Sequence, residues 1–224
     1  DLGGNGHRAS LHADGPLGAD FRLGVSVSQR RRQAIANQED ARISDLEGQE
    51  KSDAAVRLVW DPAPGHELVA EHRFGEETRW ADLREKSGRK RDYARITPVD
   101  REHSSLGWTG APGGALDARA SLRIYRSTLQ TGNTRSNGVA SLRPQALDDR
   151  VGEGQFSIVP AAGQLSSAGF ELRREEVENV GLAGGHGRAD NRALYLEHEA
   201  RLAPTVTLTG GLRYTQDQKK DVGG

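Results

Sequence analysis

The chain has 224 residues, a formal net charge of −1 and no cysteine. The balanced charge gives no indication of a strongly basic or acidic partner, and the lack of cysteine excludes disulfide bridges, thiolate chemistry and cysteine metal ligands. Hydrophobic residues make up 34% and charged residues 28%, whereas a compact globular domain is usually about half apolar. Either the chain is poorly packed, or one surface of each of its elements faces water.

Alternation of apolar and polar residues runs through most of the chain. A period of two places successive side chains on opposite faces of a β-strand, so each run predicts a strand with one apolar and one polar face. In chain order, the apolar positions of the runs fall within Ala9–Ala13, Phe21–Val27, Ala54–Trp60, Leu68–Phe74, Leu106–Trp108, Ala118–Ile124, Phe156–Ile158, Ala168–Leu172, Leu194–Leu202 and Val206–Tyr214. No segment shows a convincing helical period.

The connections between these runs alternate in length. The short ones contain Gly or Pro and fall near residues 14–18, 61–65, 110–114, 161–164 and 203–205. The long ones are polar and cover residues 30–53, 75–101, 130–146 and 178–190. This rhythm predicts an all-β antiparallel up-and-down meander of about ten strands, with tight turns at one end, as in outer-membrane barrels. A soluble sheet with one wet face is the alternative.

Four parts of the chain resemble TonB-dependent outer-membrane receptors and follow one another in the order of that family. These parts are Ala13–Leu17 with Phe21–Gln29, then Arg57–Pro62, then Gly169–Glu175, and finally Tyr195–Leu202 followed by Leu208–Tyr214. The last is similar to a family signature in which Tyr, acidic residues and Arg-Leu precede a turn and Leu-Thr-x-Gly-x-Arg-Tyr. The resemblance spans almost the whole chain.

This resemblance implies an internal fragment of a receptor of the siderophore or ferric-chelate type. Residues 1–224 would form part of its β-barrel domain, as about ten strands of a transmembrane barrel of about 22 strands. The family's plug domain, its TonB box and its C-terminal strand with a final aromatic residue have no counterpart in the motifs above, and methionine is absent even at position 1. We therefore expect a longer protein that carries these parts and the first and later strands.

The function implied by the resemblance is energy-coupled import of a ferric siderophore or similar iron chelate across the outer membrane of a Gram-negative bacterium. Such a receptor is not an enzyme, has no cofactor beyond the iron of its cargo, and has the chelate, TonB, membrane lipid and lipopolysaccharide as partners, without nucleic acid. The same barrel importing cobalamin, haem or a glycan is one alternative. A soluble β-sheet binding protein is another, and it predicts that Leu122, Ile124, Leu208 and Leu212 share a dry core, whereas the receptor interpretation places them on the outer surface.

Ferric siderophores are often anionic, so basic and aromatic side chains in outer loops are the expected contacts. The predicted ligand-binding residues, all in the long loops, are Arg30, Arg31, Arg32, Trp80, Arg84, Arg89, Lys90, Arg91 and Tyr93. The alternative is that they are solvated loop charges near lipopolysaccharide phosphates. No catalytic or metal-binding residue is predicted, since the seven histidines lack ligand spacing.

Two further sets of residues are expected to have structural roles. Charged residues on the polar strand faces are predicted to form ion-pair ladders along the inner wall, which stabilise neighbouring strands: Arg57, Arg73, Arg119, Arg123 and Arg213 with Glu71, Glu171 and Glu197. Trp60, Trp108 and Tyr214 lie on the apolar face and are expected either in the aromatic girdles of a membrane barrel or in ordinary packing.

Overall fold

The computed structural model of the protein describes residues 6–85, 88, 91–111, 117–136, 145–179 and 181–221. Within them the chain forms thirteen strands, numbered here in chain order with their bounds: β1 Gly6–Pro16, β2 Phe21–Arg32, β3 Ile35–Ala36, β4 Ser44–Leu46, β5 Gly48–Ala63, β6 His66–Arg84, β7 Asp92–Gly110, β8 Asp117–Thr131, β9 Thr134–Arg135, β10 Gln145–Val159, β11 Gln164–Asn179, β12 His186–Ala203 and β13 Val206–Asp221. One short 3-10 helix covers Ala183–Gly185. No helix in the described ranges is long and apolar enough to span a membrane.

Ten long strands form one antiparallel sheet in the order β1-β2-β5-β6-β7-β8-β10-β11-β12-β13. Each strand of this path pairs with the next long strand along the chain, so the predicted up-and-down meander is confirmed. The short strand β9 adds to β7, while β3 and β4 form a separate hairpin within the β2–β5 connection. The tightest turns have two residues, as at Pro64–Gly65, where φ of Gly65 is 78° and therefore favours a residue without a Cβ.

The strands are longer at one end of the sheet than the sequence pattern indicated. The predicted loops 30–53 and 75–101 are wrong over most of their length, since β5 already begins at Gly48 and β6 continues to Arg84. The predicted loop 178–190 is also too long, because β12 starts within it. In these extensions most paired side chains are polar or charged, as in Lys51–Glu77 and Arg84–Asp92, and the few apolar pairs, such as Trp80–Ile96, do not recur with a period of two. A search for hydrophobic alternation therefore does not find the extensions.

The pairing register joins the apolar runs of all ten long strands into one band on one face of the sheet, here called the apolar face. The side chains of this apolar band include Leu11, Phe21, Val25, Val27, Val56, Leu58, Trp60, Phe74, Leu106, Leu122, Ile124, Phe156, Leu172, Leu194, Leu196, Leu208, Leu212 and Tyr214, and all are exposed. Leu212 is 79% exposed and Ile124 53%. The dry core expected for a soluble sheet is therefore wrong for these residues, and the outward orientation expected for a receptor wall is confirmed.

The apolar band runs obliquely across the strand pairing. On β2 its centre is at Gly24, between Leu23 and Val25, and successive register partners lead from Gly24 through eight strand-to-strand steps to Asp217 on β13. The band on β13 is instead centred on Gly210, seven residues nearer the short-turn end. The offset of seven residues, at about 3.3 Å each, accumulates over eight strand spacings of about 4.8 Å. The strands are therefore inclined by about 31° from the direction perpendicular to the length of the band. Membrane barrels have strands tilted by roughly 35–45°.

Candidate functional site

The other face of the sheet, the polar face, is concave. A cavity of about 1490 Å³ lies against seven neighbouring strands, from Ser10 on β1 to Leu147 on β10. The nearly buried side chains Val59, Val99 and Val151 all belong to this face, in contrast to the exposed apolar band. Curvature of the sheet therefore gathers the polar-face side chains around a shared space, as on the inner wall of a barrel.

Three cations face one another across strands on this concave side. Arg8 on β1 pairs in register with Arg30 on β2, and Arg30 pairs in register with Lys51 on β5. We call these residues the cationic row. Lys51 forms a 3.0 Å ion pair with Asp53, but within the described part of the chain neither Arg8 nor Arg30 forms an ion pair. Like charges directly opposite each other destabilise a sheet, so the row favours a bound anion.

A buried carboxylate lies next to the cationic row, on β6. Glu77 is the register partner of Lys51, and its side chain is 2% exposed. Arg79 and Arg101 both donate hydrogen bonds to it, and Gln49 donates a third at 2.7 Å. Burial by itself raises the pKa of Glu77, but these donors outweigh it and bring the pKa down to about 2. The carboxylate is therefore ionised and satisfied, and it anchors two guanidinium groups at the edge of the site.

The predicted run of three arginines on β2 is divided between the two faces. Arg30 and Arg32 lie on the polar face, where Arg32 donates a 3.1 Å hydrogen bond to the carbonyl of Glu47. Arg31 lies between them in sequence and therefore points to the apolar face, where its register partners are His7 and Glu50. The three residues are in a strand rather than in the predicted loop, and only two of them can face the concave space.

The second predicted basic stretch is dispersed in the same way. Trp80 lies on the apolar-face side and covers Gly48, so closely that a Cβ at Gly48 would be 2.2 Å from the indole. Arg84 is held by Asp92, at 2.6 Å, and by Asp40, at 2.8 Å. Both carboxylates raise the pKa of Arg84, and they leave it less free to bind a ligand.

Of the described residues in the second predicted basic stretch, only Tyr93 clearly lies on the polar face. It stacks beneath Arg135, whose guanidinium carbon is 5.1 Å from the ring centroid, as in a cation–π contact. The carbonyl of Arg91 accepts a 3.0 Å backbone hydrogen bond from the amide of residue 85, which closes the loop between β6 and β7. Arg89 and Lys90 lie outside the described residues. The nine predicted residues are thus not brought together in one place.

The cavity is lined by cations that the loop-based prediction of the site left out. They are Arg8, Arg22, Lys51, Arg57, Arg73 and Arg101. Arg57 and Arg73 were predicted on the inner wall, but as members of the ion-pair ladders. The alternation of the strands also assigns Arg8 and Arg22 to the polar face, whereas Lys51 and Arg101 belong to it only through the strand extensions.

The predicted ion-pair ladders are present in part. Arg213 contacts Glu171 at 3.1 Å, and Arg73 contacts Glu71 two residues along its own strand. Arg123 pairs with Glu153 at 3.8 Å, a partner that was not anticipated. The predicted members Arg57, Arg119 and Glu197 form no ion pair within the described residues.

The predicted aromatic residues Trp60, Trp108 and Tyr214 all lie on the apolar face. Trp60 stacks on Phe21 with ring centroids 5.7 Å apart and planes 3° apart, next to the short turns. Trp108 lies in the same row of register partners, but because the apolar band slants across these rows, Trp108 lies near the middle of the band on β7, opposite Leu122. Tyr214 lies at the edge of the band nearest the long connections on β13. The choice between aromatic girdles and ordinary packing stays a prediction. No group of three or more potential ligands for a metal ion occurs within the described residues.

Comparison with solved structures identifies the fold. The chain matches a variant of the ferric enterobactin receptor PfeA of Pseudomonas aeruginosa with a TM-score of 0.78 and 17% identity, over 99% of this chain and 38% of that one. It matches the FrpB iron transporter of Neisseria meningitidis with a TM-score of 0.74 and 14% identity, over 97% and 40%. It also matches the siderophore receptor PirA of Pseudomonas aeruginosa with a TM-score of 0.69 and 19% identity, over 96% and 34%.

No protein-family model and no curated protein sequence matches the chain. At these identities the three structures establish the fold, an antiparallel meander like part of the barrel of such receptors. The chain spans between a third and two fifths of their length. They are named as receptors and as a transporter, not as enzymes, in line with the prediction from sequence.

Proposed function

We propose that the chain is part of the barrel wall of a TonB-dependent receptor that imports a ferric siderophore or a similar iron chelate. Residues 1–224 would then be one section of a barrel of about 22 strands in the outer membrane of a Gram-negative bacterium. TonB, membrane lipid and lipopolysaccharide would be its other partners. The shared fold supports this proposal, and one of the matched structures is a variant of PfeA in complex with enterobactin.

The observation that carries the proposal is the contrast between the two faces of a single sheet. Within the described residues no second layer covers the apolar band, whose side chains are exposed on every long strand. The opposite, concave face holds a cavity lined by six cationic side chains. A lipid-facing exterior and a charged, water-accessible interior are the two requirements of a membrane transport barrel.

The cationic row accounts for the preference for an anionic cargo. Arg8 and Arg30 have no carboxylate partner in the described chain and face the concave side. An anionic chelate would relieve their mutual repulsion and accept charge-assisted hydrogen bonds from their guanidinium groups. Among the other cargoes considered, haem also carries carboxylates, whereas a neutral glycan would leave this charge uncompensated.

The test uses the full-length receptor in a Gram-negative strain without other iron-chelate receptors, supplied with single iron sources. Growth and uptake of radioactive iron identify the cargo. Arg30→Ala is expected to weaken chelate binding by about tenfold, as for loss of one hydrogen bond to a charged group. Arg31→Ala is the matched control, because this neighbour lies on the other face of the same strand.

Binding and uptake that respond equally to the two substitutions would show that the concave face does not hold the chelate. A full-length protein that inserts in the membrane but binds no iron chelate at all would overturn the proposed cargo. Growth on cobalamin, haem or a glycan in place of iron chelates would reassign it.

A further inference from the structure

A groove crosses the apolar face at the upper edge of the apolar band, on the side of the long connections. It has a volume of about 850 Å³ and touches five neighbouring strands, β7, β8, β10, β11 and β12, each through three consecutive residues. Such a pattern arises when a groove runs across the strands between two rows of outward side chains. The backbone of the middle residue then forms the floor, and its two neighbours form the walls.

The lower wall of the groove is apolar and continuous with the band. It is formed by Leu106, Ile124 and Leu172, with Gly152 between the last two. The absence of a side chain at Gly152 opens a depression there, since the nearest atom to a Cβ at this position is the Ile124 side chain at 3.9 Å. Leu172 and Ile124 are both about half exposed. The depression and its apolar walls suit contact with a hydrocarbon chain.

The upper wall of the groove consists of guanidinium groups. Arg126, Arg150 and Arg174 are successive register partners on three strands, and their side chains are 58%, 52% and 46% exposed. Arg192 lies at the far end of the lower wall and forms no ion pair within the described residues. Four cations therefore border one groove, and three of them stand side by side.

Carboxylates hold these cations in place without neutralising all of them. Asp148 accepts hydrogen bonds from Arg126 at 2.7 Å and from Arg150 at 3.0 Å. Asp190 accepts one from Arg174 at 3.0 Å and others from the flanking Arg188. Glu102 and Glu176 share the row of Asp148, one row further from the band. Each guanidinium keeps N–H groups directed toward solvent, and these suit the oxygens of a phosphate.

We propose that this groove binds a phosphorylated lipid of the surrounding leaflet, with an acyl chain against Leu106, Ile124 and Leu172 and the phosphate against Arg126, Arg150 and Arg174. This inference rests on the proposed function, because it requires that the apolar band lies in a membrane. The 31° slant places the groove at the band's upper edge, where headgroups meet hydrocarbon. Cations at that depth attract anionic headgroups, and apolar contact alone would not select them.

The experiment uses the full-length protein in a neutral detergent and measures lipid retention by native mass spectrometry. The probes are diphosphorylated lipid A, the same lipid after removal of its phosphates, and inorganic phosphate. The variant Arg150→Gln/Arg174→Gln is compared with Arg119→Gln, which removes an unpaired arginine from the polar face of β8. Arg150→Lys/Arg174→Lys restores the charge, and circular dichroism checks that each variant keeps its strand content.

We expect the double glutamine variant to bind diphosphorylated lipid about 25-fold more weakly, given two cations that each contribute about fivefold. Arg119→Gln should bind as the parent does, and the lysine variant should recover most of the affinity. Equal retention of the phosphorylated and dephosphorylated lipids would overturn the proposal, as would unchanged binding by the glutamine variant. Inorganic phosphate that occupies the site as tightly as the lipid would indicate a simple anion site instead. Normal chelate uptake together with absent lipid binding would refute this inference alone, and the reverse result would refute the proposed cargo alone.

Discussion

The slant of the apolar band predicts where along β13 a charge is most costly. If the band centre at Gly210 lies at the middle of the membrane, Leu212 is two residues from it. At about 3.3 Å per residue and a tilt of about 31°, this puts Leu212 about 6 Å from the midplane. Gln216 is six residues from the centre, about 17 Å away, and thus beyond an apolar zone about 25 Å tall.

Arginine substitutions at these positions test the slant. A lipid-facing Arg costs about 2–4 kcal/mol near the midplane and about 0–1 kcal/mol at the interface. We expect Leu212→Arg to lower the free energy of unfolding by about 3 kcal/mol and Gln216→Arg by less than about 1 kcal/mol. Thr209→Arg is the control, because Thr209 is one residue from the band centre, closer than Leu212, but faces the polar side.

The measurement is urea unfolding of the full-length protein in phosphocholine vesicles, followed by tryptophan fluorescence. If the rows of register partners were parallel to the membrane, Asp217 would be at the midplane and the cost would be greatest at Gln216, which would refute the slant. If Leu212→Arg changed stability by no more than about 0.5 kcal/mol, as is usual for an exposed position in water, the apolar face would not be in lipid.

Two further predictions concern the strand extensions and the packing of the sheet. The pKa of Glu77 is lowered to about 2, so its interactions with Arg79 and Arg101 stabilise the β6–β7 extension above the ordinary glutamate pKa and are lost as pH falls from about 4.5 to about 2. Glu77→Gln should cost about 2 kcal/mol at neutral pH, as for the loss of hydrogen bonds to a charged group, and should remove that pH dependence. Hydrogen exchange of residues 75–84 measures both effects, and identical pH profiles for parent and variant would contradict this prediction. Gly154→Val should lower the unfolding free energy by about 1–3 kcal/mol, because a Cβ there would be 2.5 Å from the Phe170 ring; an unchanged urea midpoint would show that the ring can move aside without loss.

Alternation in the sequence, together with the lengths of the connections, was sufficient to predict the sheet and its meander, whereas the outward direction of the apolar face was predicted from the resemblance to receptor barrels. Runs such as Phe21–Val27 and Val206–Tyr214 combine a period of two with a preceding turn that contains Gly or Pro, and the structure pairs them as expected. The strand extensions escaped prediction because Gly48–Asp53 and Gly75–Arg84 show no regular alternation of apolar and polar residues. Their pairing depends on partners distant in sequence, which a single strand does not reveal.

The arrangement of the basic side chains could not be predicted from the sequence. Adjacent residues such as Arg30 and Arg31 point to opposite faces because the segment is a strand and not the predicted loop. The cationic row depends on register, which brings Arg8 and Lys51 beside Arg30 from positions 22 and 21 residues away. Sequence proximity was therefore a poor guide to which charges act together.

The inclination of the strands also shapes the route of any molecule that passes along the concave wall. A molecule that moves about 20 Å along the membrane normal moves about 17 Å in the direction of a strand, which is about five residues. It also moves about 10 Å across the strands, which is about two strand spacings. If the concave wall lines a passage, as proposed, a molecule that descends along it leaves one hairpin and meets the side chains of the neighbouring hairpins. Exchange of one hairpin would then alter a diagonal stripe of the wall.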